Sequence, residues 1–200
     1  MSKYNEQYYL AFNQSENESA VLFLKVTADS AKRKPGRVKL SAGEQPIYFE
    51  DAFKDINIEP SKAHLNLSRM IVNKDLYVDL IDFQIKHFQL YPAVVIDRYG
   101  KHHEDYWFFN SYEKLHVVEL GKSVIDSYAP SDKKHDFIKY SLSDEVLDAI
   151  PEEERLVLSI AESDMGAVLY HQKIIDIFNK HHVETIKFIK VSEWESGSEF

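Results

Sequence analysis

Apolar and polar positions alternate along much of the chain in short runs, and this pattern predicts more strand than helix. Tyr8–Phe12 and Val21–Thr27 are two such runs, divided by the polar stretch Asn13–Ser19, and they read as a hairpin or meander. Pro46–Glu50 is a third. Asp51–Ser68 mixes polarity and carries a proline, so it reads mostly as loop, with Met70–Val72 a strand after it. Asn73 then stands where an N-cap belongs. Tyr77, Leu80, Ile81 and Phe88 follow near helical spacing, which predicts a helix from about Lys74 to Lys86.

Pro92 is read as ending that pattern. Ala93–Tyr99 and Glu104–Asn110 form two strands around the turn Gly100–His103, and Leu115–Leu120 is another. After the polar loop Asp126–His135, Phe137–Leu142 reads as an edge strand. Ser143 caps a short helix, Asp144–Ile150, which Pro151 stops. Leu156–Ala161 and Ala167–Tyr170 are strands, His171–His182 a helix with Ile174, Ile175 and Phe178 on one stripe, and Thr185–Val191 a final strand. The expected class is α+β, with mainly antiparallel sheets and two or three helices. Residues 1–90 and 91–195 read as an N-terminal and a C-terminal lobe. Residues 196–200 read as an untethered tail, with a sequence that cloning sites could encode. One internal echo stands out: a strand, a polar cap and a helix occur at Met70–Lys86 and again at Val168–His182, with a strand after each. Duplication and chance both account for it at this stage.

Composition narrows the chemistry. The 200 residues are 44% hydrophobic and include no cysteine, which leaves no disulfide, thiolate nucleophile or zinc–thiolate site. No run of 18 apolar residues occurs, so the expectation is a cytoplasmic protein without a membrane partner. The net charge is −9, and all of that excess lies after residue 100. Eight acids and one base, Arg155, fall between Ser143 and Asp164. A field of that sign disfavours nucleic acid and favours a cationic partner. The basic burst Lys32–Arg37 contains a Pro-Gly turn signal and reads as a solvated hairpin loop.

Adjacent histidines followed by two acids, His102-His103-Glu104-Asp105, raise the question of a metal or catalytic site. Consecutive residues on a strand face opposite ways, so the two imidazoles cannot easily share an ion. No phosphate-binding glycine loop, nucleophile elbow or H-E-x-x-H occurs, and no cofactor, catalytic residue or metal ligand is expected. The run Tyr106-Trp107-Phe108-Phe109 places two aromatics on each face of a strand. One pair belongs to the core; the other is covered by a helix or left exposed.

Three stretches resemble a family of bacterial immunity proteins found beside polymorphic toxins of contact-dependent and type VI secretion systems. They are Asn110–Ser123 (NSYEKLHVVELGKS), Ile150–Ile160 (IPEEERLVLSI) and Val168–Val191 (VLYHQKIIDIFNKHHVETIKFIKV). Glu119 stands where the family has an Asp, and His171 where it often has a small polar cap. The resemblance implies a protein that performs no chemistry and blocks the catalytic domain of a cognate effector toxin by stoichiometric occlusion. The candidate partner-binding residues are the acids Asp144, Glu145, Asp148, Glu152, Glu153 and Glu154 and the hairpin face His102, His103 and Tyr106. Two alternatives remain open. One is a metal-dependent or acid/base hydrolase using His102–Asp105 with His171 or Asp164. The other is an interaction or regulatory module with no toxin.

Overall fold

In a computed structural model of the chain, the described residues are 2–14, 22–52, 59–126 and 134–198. The strands in chain order are β1 (Tyr8–Asn13), β2 (Leu24–Val26), β3 (Ile47–Asp51), β4 (Ala63–Asn66), β5 (Arg69–Asn73), β6 (Phe88–Ile96), β7 (His102–Ser111), β8 (Lys114–Leu115), β9 (Val124–Ile125), β10 (Phe137–Lys139), β11 (Val157–Ile160), β12 (Val168–His171) and β13 (Ile186–Lys190). The α-helices are α1 (Ala28–Ala31), α2 (Lys74–Leu80), α3 (Asp144–Asp148) and α4 (Gln172–Lys180). The fold is α+β, and most strand pairs are antiparallel. Among the described residues there are four α-helices, and the one that was not expected, α1, is a single turn.

Two sheets carry the architecture. One has the order β2-β3-β6-β7-β5-β4 and the other β13-β1-β12-β11-β8. Strict alternation sends neighbouring residues to different cores. On β5, Met70 and Val72 enter a core shared by both sheets, while Ile71 faces the opposite side. On β12, Val168 and Tyr170 join the shared core and Leu169 faces away. Leu76, Leu80, Ile174, Ile175 and Phe178 bring α2 and α4 into the shared core. An outer core on the six-stranded sheet is built from Phe49, Tyr91, Tyr106 and Phe108. A second outer core covers the five-stranded sheet, with Tyr4, Tyr8, Leu147 and Trp194.

The internal echo has a structural counterpart. β5 and β6 are parallel, with the antiparallel β7 between them, and α2 joins them. β12 and β13 are likewise parallel, with β1 between them, and α4 joins them. Each unit also carries a preceding hairpin strand on its outer side, β4 in one and β11 in the other. Equivalent parts meet: α2 packs on α4, β1 on β4, and β7 on β11. Both helices are capped by the last residue of the preceding strand. Asn73 accepts from the Leu76 N–H through Oδ1, and His171 accepts from the Lys173 N–H through Nδ1.

Several expectations are corrected. β1 does not pair with β2; Tyr8, Tyr9 and Leu10 are all buried, so β1 has neighbours on both edges, β12 and β13. The basic burst does lie in the connection between the antiparallel neighbours β2 and β3, but that connection is long and Val38–Leu40 is not a strand within it. The burst follows α1, and Arg33 reaches the Glu44 carboxylate at 2.7 Å and the Tyr91 hydroxyl at 2.9 Å. β4 lies inside the stretch read as loop, where the buried His64 interrupts the apolar signal. α2 stops at Leu80, and Phe83 and Ile85 pack on the shared core from the following loop. Pro92 sits within β6, opposite Trp107 and one place before the β3 ladder begins at Ala93. Of the predicted strand 115–120, only Leu115 belongs to a strand, at the end of β8; Val118 forms an isolated bridge to Leu142, and Leu120–Lys122 is a 3-10 turn. Residue 90 falls inside β6, and β1 belongs to the sheet built mostly from the last part of the chain. The start of the tail is held where the Ser196 N–H donates to the Ile138 carbonyl at 2.9 Å. Residues 199 and 200 of the tail, most of the Asp126–His135 loop and parts of Asn13–Ser19 and Asp51–Ser68 lie outside the described residues.

Candidate functional site

The acidic run is built on α3 and the 3-10 turn Glu152–Glu154, which follows Pro151. Ser143 caps α3 by accepting from the Val146 N–H. The helix packs on the 3-10 turn Lys3–Glu6, so the first residues of the chain consume part of the negative charge. Ser2 donates to Asp144 at 2.5 Å. Asp148 takes Lys3 and the Tyr4 hydroxyl, each at 2.6 Å, and the Lys3 hydrogen bond leads in holding its carboxyl below the usual range. Glu152 pairs with Lys173, and Glu154 with Lys86 at 2.5 Å. Glu145 and Glu153 are exposed and have no hydrogen-bond or ion-pair partner among the described residues. Of the six candidate acids, these two have no such partner, and Asp144 takes only a neutral hydroxyl and no counter-charge among the described residues.

Beneath the run lies a buried cation. Arg155 donates to the Ile150 carbonyl at 2.9 Å, the Tyr8 hydroxyl at 3.0 Å and the Tyr4 hydroxyl at 3.3 Å, and its guanidinium lies over the Tyr4 ring. Burial pushes the Tyr8 phenol up to about 12, against the lowering effect of Arg155. Tyr8 and Tyr4 therefore stay neutral and present oxygen to the guanidinium.

The hairpin face divides. His102 is exposed, with its ring edge against Tyr48 at 6.0 Å. His103 turns the other way and bonds Asp97 at 2.9 Å. Asp97 also accepts from the Tyr99 and Lys101 N–H groups, so it closes the turn. The His103 hydrogen bond is the main cause of its lowered carboxyl pKa. A bulge between Ala93 and Val95, with Asp105 at φ +62°, re-aims the strand beyond. Tyr106 is no exposed anchor: it is 8% exposed, and its hydroxyl donates to the Ser61 carbonyl at 2.8 Å. Its position on the inner side of β7, in register with Ala93, sends it into the core. Trp107, on the other face, stacks flat on Tyr77 of α2, so a helix covers that half of the aromatic run.

The structure does not gather His171 or Asp164 with the hairpin. His171 caps α4 and packs on Tyr8, and Asp164 lies in the turn between β11 and β12. Among the described residues no three His, Asp or Glu side chains stand close enough together to hold a metal ion. A cleft of about 420 Å³ opens beside Tyr106, between β4–β5 and the loop after α4, lined among others by Lys62, Asn73, His182, Glu184 and Thr185. Most of its polar groups are spent internally: Lys62 on the His181 carbonyl, Thr185 on the Ala63 carbonyl, and Asn73 as the helix cap. His64, 1% exposed, lies behind Tyr106; its Nε2 accepts from the Ser61 N–H at 3.1 Å, and burial pushes its pKa down to about 4.

No helix is long and apolar enough to cross a membrane among the described residues. No protein-family model matches the chain, and comparison with curated proteins gives no match. One grouping of charges was not legible in the sequence: Arg37, from the basic burst, Arg69 and Lys114 come from three separate segments, and only the fold brings them together.

Proposed function

We propose that this chain is an immunity protein, acting in the cytoplasm, that binds the catalytic domain of a cognate effector toxin and neutralises it by occlusion. The observation that carries the reading is the segment Val168–Val191. The resemblance implies a strand, a helix and a final strand there, and the chain folds as β12, α4 and β13 over those residues. The acidic run supports a binding role. Glu145 and Glu153 project from a rigid platform, α3 being fixed to the N-terminal turn by Ser2, Lys3 and Tyr4. Unpaired carboxylates on a fixed frame speed encounter with a basic surface and select it.

The test is co-purification with the catalytic domain encoded by the neighbouring gene, followed by calorimetry at two salt concentrations. Tight 1:1 binding that inhibits the toxin is the expected result. Weakening with salt would assign steering to the acidic run, whereas insensitivity would remove it. A neighbourhood without any toxin gene, or a purified pair that does not bind, sinks the reading.

A further inference from the structure

The two equivalent units touch at their hairpin turns. A methyl group built on Gly166, in the β11–β12 turn, would stand 3.9 Å from the Lys114 ammonium and 4.0 Å from the hydroxyl of Ser68, in the β4–β5 turn. Lys114 therefore lies over the junction. Arg69 starts β5 directly after Ser68, and Arg37 repels both Arg69 and Lys114. Lys134 acts on Lys114 in the same sense, and Asp164 is the acid that opposes them. Desolvation, more than these neighbours, lowers the pKa of Arg69 and of Lys114.

What sets this cluster apart is that its unpaired cations act on one another; Lys34, Lys74 and Lys187 also lack an ion pair among the described residues but are not grouped in this way. Lys3, Lys25, Lys32, Arg33, Lys86, Lys173, Lys180 and Lys190 all form ion pairs. The side chains of Arg37, Arg69 and Lys114 form no hydrogen bond or ion pair among the described residues. In a chain of net charge −9, like charges have been placed together where acids were plentiful elsewhere. Two large apolar side chains flank them: Leu67 is 79% exposed and Met165 64% exposed, each next to a residue of the turn–turn contact. Leu67 also holds φ at +55°, a left-handed conformation that glycine or asparagine adopts more easily than leucine.

We propose that Arg37, Arg69 and Lys114, with Leu67 and Met165 beside them, form a docking surface for a protein that presents carboxylates next to an apolar patch. An acidic partner would relieve the mutual repulsion of the cations. It would also cover two side chains whose exposure costs free energy. The flanking groups are aliphatic, with no aromatic platform for bases, and the remaining charge of the chain repels a phosphate backbone. The surface is opposite in sign to the acidic run, and its existence does not depend on the toxin reading.

The test uses the full chain, labelled for amide NMR and titrated with poly-L-glutamate, with a glutamate–tyrosine copolymer and with a short DNA duplex. The expected result is a set of shifts centred on Arg69, Lys114 and Gly166, with the copolymer binding more tightly than polyglutamate. A folded Arg69→Glu/Lys114→Glu variant loses roughly tenfold in affinity, while Glu145→Lys/Glu153→Lys does not lose any. Shifts that map elsewhere, an unchanged double variant, equal binding of the two polymers, or tighter binding of the duplex each overturn the proposal. Because the probes are not the toxin, failure here leaves the immunity reading standing, and failure of that reading leaves this result intact.

Discussion

Arg155 and Tyr8 are bonded to each other twice. The guanidinium donates to the Tyr8 hydroxyl at 3.0 Å, and that hydroxyl donates to the Arg155 carbonyl at 2.9 Å. The pair ties β1 to the segment leading into β11, and through Tyr4 it reaches Asp148 on α3. Replacing Arg155 by Met leaves two buried phenols and the Ile150 carbonyl short of a donor. The expected loss is about 2–4 kcal/mol, measured as a lower urea midpoint. Arg155→Lys should recover less than half, since a single ammonium cannot span three acceptors in a fixed fork. A variant within about 0.5 kcal/mol of wild type would show the network to be dispensable.

Stability should fall between pH 6.5 and pH 4. His64 has its folded pKa depressed to about 4 by burial, and that of His171 is lowered for the same leading reason. The unfolded chain takes up protons near pH 6.5 while the native state does not. Each group's contribution is therefore complete above pH 6.5 and is lost as pH falls toward its folded value. His64 alone accounts for roughly 3 kcal/mol at most. Urea unfolding at pH 7.5 and pH 4.5, with His64→Leu in parallel, checks this: the variant should be less stable at pH 7.5 and less sensitive to pH. Below about pH 4 the lowered carboxyls of Asp79, Asp97 and Asp148 add a second loss of the same sign.

Because one core serves both sheets, they should unfold together. Phe178, 1% exposed, stands in that core with Phe109 of one sheet and Tyr170 of the other. Phe178→Ala should cost about 3–5 kcal/mol and keep a single transition by circular dichroism and tyrosine fluorescence. Two separated transitions would mean that each sheet holds its structure alone.

At the hairpin tip, Asp97→Ala removes the acceptor of three donors, the Tyr99 and Lys101 amides and His103. Hydrogen exchange at those two amides should quicken while Phe108 and Phe109 stay protected. The His102–His103 pair should add no stoichiometric zinc by metal analysis after dialysis. Retained zinc that disappears in His103→Ala would restore the metal reading.

The chain announces its buried strands well and its connections poorly. Met70–Val72 and Val168–Tyr170 are legible because each has both faces buried and so reads as a continuous apolar run. β4 is not, because a histidine stands where alternation requires an apolar residue, and only burial behind Tyr106 makes that histidine act as one. The helix after Asn73 is overextended for a related reason. Ile81 and Phe88 keep near-helical spacing with Tyr77, yet α2 ends at Leu80, and Phe83 and Ile85 fill the core from the loop between. Within the candidate site, the acids were visible as a run, but the pairing of three of them with Lys3, Lys86 and Lys173 depends on contacts far apart in sequence. The grouping of the opposing cations gave no signal: Arg37 was visible within the basic burst, but its nearness to Arg69 and Lys114 depends on the fold. Tyr106 was misjudged because strand alternation fixes that a side chain faces one side without saying which side is wet.

β1 completes a sheet whose other long strands lie near the opposite end of the chain. During synthesis it leaves the ribosome well before β11, β12 and β13 exist, while the six-stranded sheet has all its strands by Ser111. The first sheet can therefore form early, and Tyr8, Tyr9 and Leu10 must wait, apolar and unpaired, for partners made later. Long-range pairing of that kind is slow and exposes an aggregation-prone edge in the meantime. β1 is thus a vulnerable point of the nascent chain, and a chaperone holding that strand should raise the yield of folded protein more than one acting on the finished chain.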